Sequence, residues 1–112
     1  MTTIWYHVRD LDAARAFYKE KLGFTETFVD DDEEWSKLER NRTEIGLARG
    51  EPQEDGGVAH VEIEDVKAAA EELREAGVEV GVVFELHGEM RLLDVYDPDG
   101  NRLQFAQELS AG

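Results

Sequence analysis

The stretch Val58-Ala59-His60-Val61-Glu62-Ile63-Glu64-Asp65-Val66 decides how the rest of the chain is interpreted. Successive side chains of a β-strand point to opposite faces, so Val58, His60 and Glu62 would share one face and the residues between them the other. Asp65 then has the position of a helix N-cap, because apolar residues recur after it at helical spacing. The stretch therefore predicts a strand that leads directly into a helix.

The same arrangement occurs earlier in the chain. Thr3-Ile4-Trp5-Tyr6-His7-Val8 has the alternation of a strand, and Asp10 has the N-cap position of a following helix. The two capping aspartates are 55 residues apart, and the glycines that would end the two helices, Gly23 and Gly77, are 54 residues apart. The sequence therefore predicts an internal repeat.

Each predicted helix is followed by patterns for three more strands, and the first of these in the second half would span residues 78–86. One such half could not bury both its sheet and its helix well, so the two halves are expected to pack together. The sequence thus predicts an α+β fold in one domain, residues 1–112. Its two βαβββ modules would span residues 1–50 and 58–108, joined by a polar linker at residues 51–57.

Charge and composition exclude several classes of function. The chain has 27 acidic and 12 basic residues and a formal net charge of −15, whereas binding to nucleic acid or to an anionic membrane needs a basic surface. It has no cysteine, which excludes disulfides, thiolate metal sites and cysteine nucleophiles. No apolar run is long enough to cross a bilayer and no secretory leader pattern is present, so a cytoplasmic protein is expected.

Sequence motifs in both halves resemble those of one known family. They are Asp10–Tyr18, Leu22–Phe24, Asp65-Val66, Glu72-Leu73, Ala76–Val78 and Asp97–Arg102. In this order they are similar to the vicinal oxygen chelate superfamily, which includes glyoxalase I, bleomycin-resistance proteins and extradiol dioxygenases. The resemblance extends from about residue 3 to residue 107. It implies paired βαβββ modules whose sheets curl around a ligand cavity, in a homodimer.

The resemblance also implies where a metal would be held. The family's metal enzymes take one ligand near the start of each module's first strand and one from each module's last strand, which here are Thr3, Gly46, Val58 and Gln104. Glycine and valine offer no side-chain ligand to a divalent metal, and the amide of Gln104 offers only a weak oxygen. No metal or other cofactor is therefore expected at the family's usual site.

Three polar side chains on the same strand faces carry the remaining chemistry. His7 shares its face with Trp5, while His60 and Glu62 lie two residues apart on one strand, with about 6.6 Å between their Cα atoms. Three interpretations stay open. His7, His60 and Glu62 could hold a divalent metal at a shifted site, His60 and Glu62 could act as an acid–base pair, or all three could line a ligand cavity.

Two tryptophans are candidates for ligand contact. Trp5 lies on the polar face of its strand, where an indole could stack on a planar or cationic ligand. The face of Trp35 is left open, because Ser36 and Leu38 give no clean alternation. Arg102 is expected to pair with one of the nearby carboxylates rather than to bind a ligand.

These observations favour a small-molecule binding protein similar to the metal-free bleomycin-resistance members of the family. The negative charge favours a cationic or amphipathic organic ligand. The alternative is a glyoxalase- or dioxygenase-like enzyme (a lyase, isomerase or oxygenase) that uses the shifted metal site or metal-free acid–base catalysis. The predicted ligand-binding residues are Trp5, His7, Trp35, His60, Glu62 and Gln104.

Overall fold

The computed structural model describes residues 3–52 and 57–109 of the chain, so part of the predicted linker lies outside the described residues. The first module contains β1 (Ile4–Val8), α1 (Leu11–Glu20), β2 (Thr25–Asp30), β3 (Trp35–Arg40) and β4 (Thr43–Arg49). The second contains β5 (Ala59–Glu62), α2 (Val66–Glu75), β6 (Phe84–Leu86), β7 (Met90–Tyr96) and β8 (Arg102–Glu108). The predicted α+β fold with a repeated βαβββ order is confirmed.

Both helices begin directly after the predicted N-caps, and they end at Glu20 and Glu75, shortly before the predicted glycines. The side chain of Asp10 accepts a hydrogen bond from the Ala13 amide at 3.0 Å, and Asp65 accepts the equivalent bond from Ala68 at 3.0 Å. Each bond satisfies an amide that the first helical turn leaves without a backbone partner. Gly23 and Gly77 follow the helices with φ angles of 72° and 81°, a left-handed conformation that favours glycine.

The two sheets repeat one topology. The strand order is β1-β4-β3-β2 in the first and β5-β8-β7-β6 in the second, with the first and last strands of each module parallel. One face of each sheet packs against the helix of its module. Alternation along β1 places Tyr6 and Val8 in this core and Trp5 and His7 on the other face, as predicted. We call this other face, on both sheets, the helix-free face.

The strand predicted at residues 78–86 is shorter in the structure. Only Phe84–Leu86 forms β6, and Val80 makes a single bridge to Val95. The pairing of Phe84 with Leu92 and of Val80 with Val95 differs by one residue in register. This shift interrupts the ladder, so the residues between the two contacts leave the strand.

Hydrogen bonds join the two modules along the boundary where β1 and the β3–β4 hairpin meet β5 and β8, which we call the seam. The buried Tyr6 hydroxyl donates to the Arg102 carbonyl at 2.6 Å and accepts from the Ala59 amide at 2.9 Å. A second buried contact runs from the Tyr18 hydroxyl on α1 to Asp97 in the β7–β8 turn, at 2.8 Å. Within residues 3–52 and 57–109, no helix is long and apolar enough to span a membrane.

Candidate functional site

Three aromatic side chains form a continuous exposed surface on the helix-free face of the first module. The rings of Phe28 and Trp35 are stacked, with centroids 4.9 Å apart and planes at 25°, and Trp5 meets Trp35 edge to face at 5.7 Å. Phe28 is 50% exposed and Trp5 40% exposed. We call Phe28, Trp35 and Trp5 the aromatic strip. Trp35, whose face the sequence left open, therefore lies on the same face as Trp5.

The strip depends on a glycine in the neighbouring strand. Trp5 lies opposite Gly46 in the parallel β1–β4 pair, and its indole covers that residue. A Cβ atom built on Gly46 would be only 2.3 Å from Cε3 of Trp5. Carbon atoms in contact are normally about 3.5–4.0 Å apart, so the indole can adopt this position only over glycine.

The residues at the family's metal positions do not fit a divalent metal. The indole of Trp5 fills the space above Gly46 that a carboxylate at that position would use. The hydroxyl of Thr3 donates to Glu44 at 2.5 Å, and Nε2 of Gln104 donates to Asp94 at 3.2 Å. The side chain of Val58 has no ligand atom.

The shifted site is not assembled within one chain either. The His7 carbonyl accepts from the side chain of Asn101, whereas the His60 and Glu62 carbonyls accept from Thr43 and Asn41 in the β3–β4 hairpin. These contacts place His7 at one end of the seam and the other two residues at its opposite end. In the described part of the chain, no group of three His, Asp or Glu side chains is arranged to hold a metal ion.

His60 and Glu62 lie where period-2 alternation predicts, exposed on the helix-free face of β5 between the buried residues of that strand. Among the described residues, no hydrogen bond joins the His60 imidazole to the Glu62 carboxylate. On a single chain, these side chains therefore line an open face, not an enclosed cavity.

Gln104 lies in the middle of a polar row on the second module. It faces Asp94 on β7 and His60 on β5, and all three side chains are on the helix-free face. Arg102 approaches the other oxygen of Asp94 at 3.7 Å, which confirms the predicted pairing of Arg102 with a carboxylate. Asp94 was not identified from the sequence, because its role depends on the register between β7 and β8.

A second exposed apolar surface lies on the outer strands of the second module. Phe84 pairs with Leu92 and Leu86 pairs with Met90, so all four share the helix-free face. Phe84 is 43% exposed and Leu86 45% exposed. We call these four residues the apolar patch. The sequence analysis missed both the patch and Phe28, since neither can be placed on a face before the hairpin registers are known.

The shifted pKa values belong to groups that join helices to sheets. Hydrogen bonds from Arg15 on α1, at 2.6 and 2.8 Å, lower the pKa of Glu26 on β2 to about 2 despite the opposing effect of partial burial. Ser36 on β3 donates a further bond to Glu26 at 2.6 Å. Burial raises the pKa of Tyr6 to about 12. These shifts mark structural contacts on the helix side of the sheets.

Comparisons with solved structures give a consistent result. A bleomycin resistance determinant encoded on the transposon Tn5 matches with a TM-score of 0.76 at 20% identity, over 96% of this chain and 97% of that chain. The bleomycin-binding protein of Streptomyces verticillus, solved with copper(II)-bleomycin, matches with a TM-score of 0.72 at 23% identity, over 93% and 92% of the two chains. Lactoylglutathione lyase from Agrobacterium tumefaciens matches with a TM-score of 0.76 at 16% identity, over 100% and 96%.

At these identities the structural matches establish the fold alone. No curated protein sequence matches this chain. A family model, however, matches residues 3–105, which is most of the chain and includes both modules. Together with the repeated βαβββ topology, this match identifies the chain as a member of the glyoxalase/bleomycin resistance protein/dioxygenase superfamily.

Proposed function

We propose that this protein binds small planar aromatic cations on its helix-free face. The observation that carries the proposal is the aromatic strip, in which the rings of Trp5 and Phe28 are exposed on either side of the half-buried Trp35. Exposed aromatic rings that touch one another are uncommon without a binding role, and each can stack on a planar ligand. The strip thus provides the apolar part of the binding surface.

Charge on the same face favours a cation. Glu39 and Glu44 lie opposite each other in the β3–β4 pair, and Glu62 is exposed on β5. Like charges directly opposite in a sheet repel, and a cationic ligand would relieve that repulsion. Lys37 lies in the same part of the sheet and opposes this preference locally. The formal net charge of −15 nevertheless attracts cations over a longer range.

The relatives agree with a binding role of this kind. Two of the structural matches carry names that refer to bleomycin, one as a resistance determinant and one as a bleomycin-binding protein. The departure of this chain from the family's metal positions supports binding over metal-assisted catalysis. We therefore assign no step to a metal. Among the described residues His60 and Glu62 are not hydrogen-bonded to each other, so the structure gives no support to acid–base catalysis by that pair.

We also propose that a second copy of the chain completes the site. Each module exposes apolar side chains on the helix-free face, the aromatic strip on the first module and the apolar patch on the second. A two-fold axis would place the strip of one copy against the patch of its partner, twice per dimer. Such an arrangement would enclose the face that is open on a single chain. Sedimentation velocity tests it: Phe84→Asp should convert a dimer to a monomer, and a wild-type monomer would refute it.

Calorimetric titration tests the ligand class. We expect saturable binding of 9-aminoacridine, a planar cation, and much weaker binding of acridine-9-carboxylate, which has the same ring system with a negative charge. Trp35→Ala should weaken 9-aminoacridine binding about tenfold, because two aromatic contacts are lost. Val82→Ala is the control, since Val82 is 77% exposed and lies outside the strip.

Two results would refute the proposal. Absence of saturable 9-aminoacridine binding would exclude the planar cation class, and equal losses in Trp35→Ala and Val82→Ala would show that the strip is not the site. Equal affinity for the cation and the carboxylate would be consistent with stacking on the strip but would contradict the proposed preference for cations.

A further inference from the structure

We infer that Asp94 is a positioning residue for Gln104, and that the oriented amide makes the second-module half of the helix-free face select ligands with an N–H donor. This inference rests on the proposed function, because it concerns which planar cations that face prefers. The two side chains face each other across the antiparallel β7–β8 pair, with Nε2 of Gln104 3.2 Å from Oδ1 of Asp94.

The chemistry of the two groups fixes the direction of the amide. An ionised carboxylate can only accept hydrogen bonds, so Gln104 must turn its NH₂ group toward Asp94. The amide oxygen is then the atom that does not face the Asp94 carboxylate, and Gln104 lies between Asp94 and His60 in the row. Without Asp94, the amide could turn either way and offer a donor or an acceptor to a ligand. With Asp94, it offers an acceptor.

Two further contacts hold Asp94 in place. Nη1 of Arg102 lies 3.7 Å from Oδ2, the oxygen that Gln104 does not use. The backbone carbonyl of Asp94 accepts a hydrogen bond from the Gly81 amide at 2.9 Å. The Asp94 side chain is 24% exposed and that of Arg102 49% exposed. The Asp94 carboxylate is therefore less exposed to solvent than the Arg102 guanidinium beside it.

The row that results is suited to a ligand with N–H groups. The Gln104 oxygen is an acceptor, and His60 is exposed beside it on β5. A protonated amine or amidine on a planar ring would find an acceptor here. A quaternary cation of the same shape has no N–H group and would leave the amide oxygen without a partner, which costs free energy if water is excluded.

The orientation of the amide can be tested without any ligand. In the full chain labelled with ¹⁵N, the Gln104 side-chain NH₂ should show slowed hydrogen exchange from its bond to Asp94. Asp94→Leu should abolish that protection, whereas Asp94→Asn should only weaken it, because an asparagine amide can accept the same bond or turn its own NH₂ group toward Gln104. Arg102→Ala should weaken the protection less than Asp94→Leu, because Arg102 contacts the oxygen that Gln104 does not use. Protection that survives Asp94→Leu would overturn the positioning role.

The selectivity is tested with two cations of one shape. We expect wild-type protein to prefer 9-aminoacridine over 10-methylacridinium, and Asp94→Leu to reduce that ratio of affinities about three- to tenfold. Asp94→Asn should reduce the ratio less than Asp94→Leu, because asparagine can still accept the bond but does not exclude the reversed orientation. Gln104→Met, which removes the amide and keeps its length, should reduce it as Asp94→Leu does.

The outcomes separate this inference from the function on which it rests. If both cations bind with equal affinity in wild-type protein, the selectivity is wrong and the planar cation site stands. If neither cation binds, the proposed function fails and the selectivity fails with it. An unchanged ratio in both Asp94→Leu and Gln104→Met would also overturn the inference.

Discussion

Replacing Gly46 with alanine perturbs the contact on which the aromatic strip depends. The new Cβ atom would lie 2.3 Å from Cε3 of Trp5, whereas an ordinary carbon–carbon contact is about 3.5–4.0 Å. The indole therefore has to move by roughly 1.2 Å or more. Because Trp5 is 40% exposed, it can swing outward without unfolding the sheet. We expect a folded protein with a displaced Trp5 ring.

The effect on stability combines two opposing contributions. Alanine is favoured over glycine inside a strand by about 0.5–1 kcal/mol. Overpacking against Trp5 costs about 1–3 kcal/mol. We therefore expect Gly46→Ala to lower the free energy of unfolding by about 1 kcal/mol in the wild-type background. In a Trp5→Ala background the same change should raise it by about 0.5 kcal/mol, a coupling of about 1.5 kcal/mol.

Urea unfolding followed by far-ultraviolet circular dichroism measures this coupling, since the signal does not depend on the tryptophan that is removed. Gly57→Ala is the matched control, because the atoms nearest to its Cβ would be those of Ile4, at an ordinary 3.4 Å, and not a ring of the strip. A coupling below about 0.5 kcal/mol between positions 5 and 46 would refute the reasoning. Gly46→Ala should also bind 9-aminoacridine more weakly than wild-type protein, because Trp5 is displaced from the strip.

The remaining predictions concern one hydrogen bond between the modules and one ion pair within the first module. Tyr6→Phe leaves the Ala59 amide without its acceptor and should lower the free energy of unfolding by about 2 kcal/mol in urea titration at pH 7. Because burial raises the pKa of Tyr6 from 10.0 to about 12, the folded state keeps its proton longer, so wild-type stability should fall between pH 10 and 12 more steeply than that of Tyr6→Phe. Glu26→Gln should destabilise the protein by about 2 kcal/mol at neutral pH. Since the folded-state pKa of Glu26 is lowered to about 2, this difference should persist above pH 4.5 and disappear toward pH 2; a constant difference would contradict it.

Much of the fold could be predicted from the sequence because its signals are local. The N-caps Asp10 and Asp65 and the glycines after each helix act within a few residues of their own position. Alternation also assigned Trp5 and His7 to one face correctly, since the period of a strand does not depend on its partner. The length of β6 was predicted wrongly for the opposite reason, because a register shift against β7 ended it.

The candidate site required information that no local pattern contains. Phe28 joins Trp35 only through the pairing of β2 with β3, and the position of Trp5 over Gly46 needs the parallel pairing of β1 with β4. The role of Asp94 likewise depends on the pairing of β7 with β8. Each pairing is between residues distant in the chain or across a hairpin whose register the turn sets.

Local patterns in the sequence predict two repeated modules, the faces of their first strands and the absence of a side-chain ligand at Gly46 and Val58. These predictions need only residue type and the periods of 2 and 3.6, which are properties of a single segment. Which side chains meet depends on the tertiary structure. It placed His7 and His60 at opposite ends of the seam and gathered the aromatic strip on one open face, because strand register and module packing are set by contacts between segments far apart in the chain.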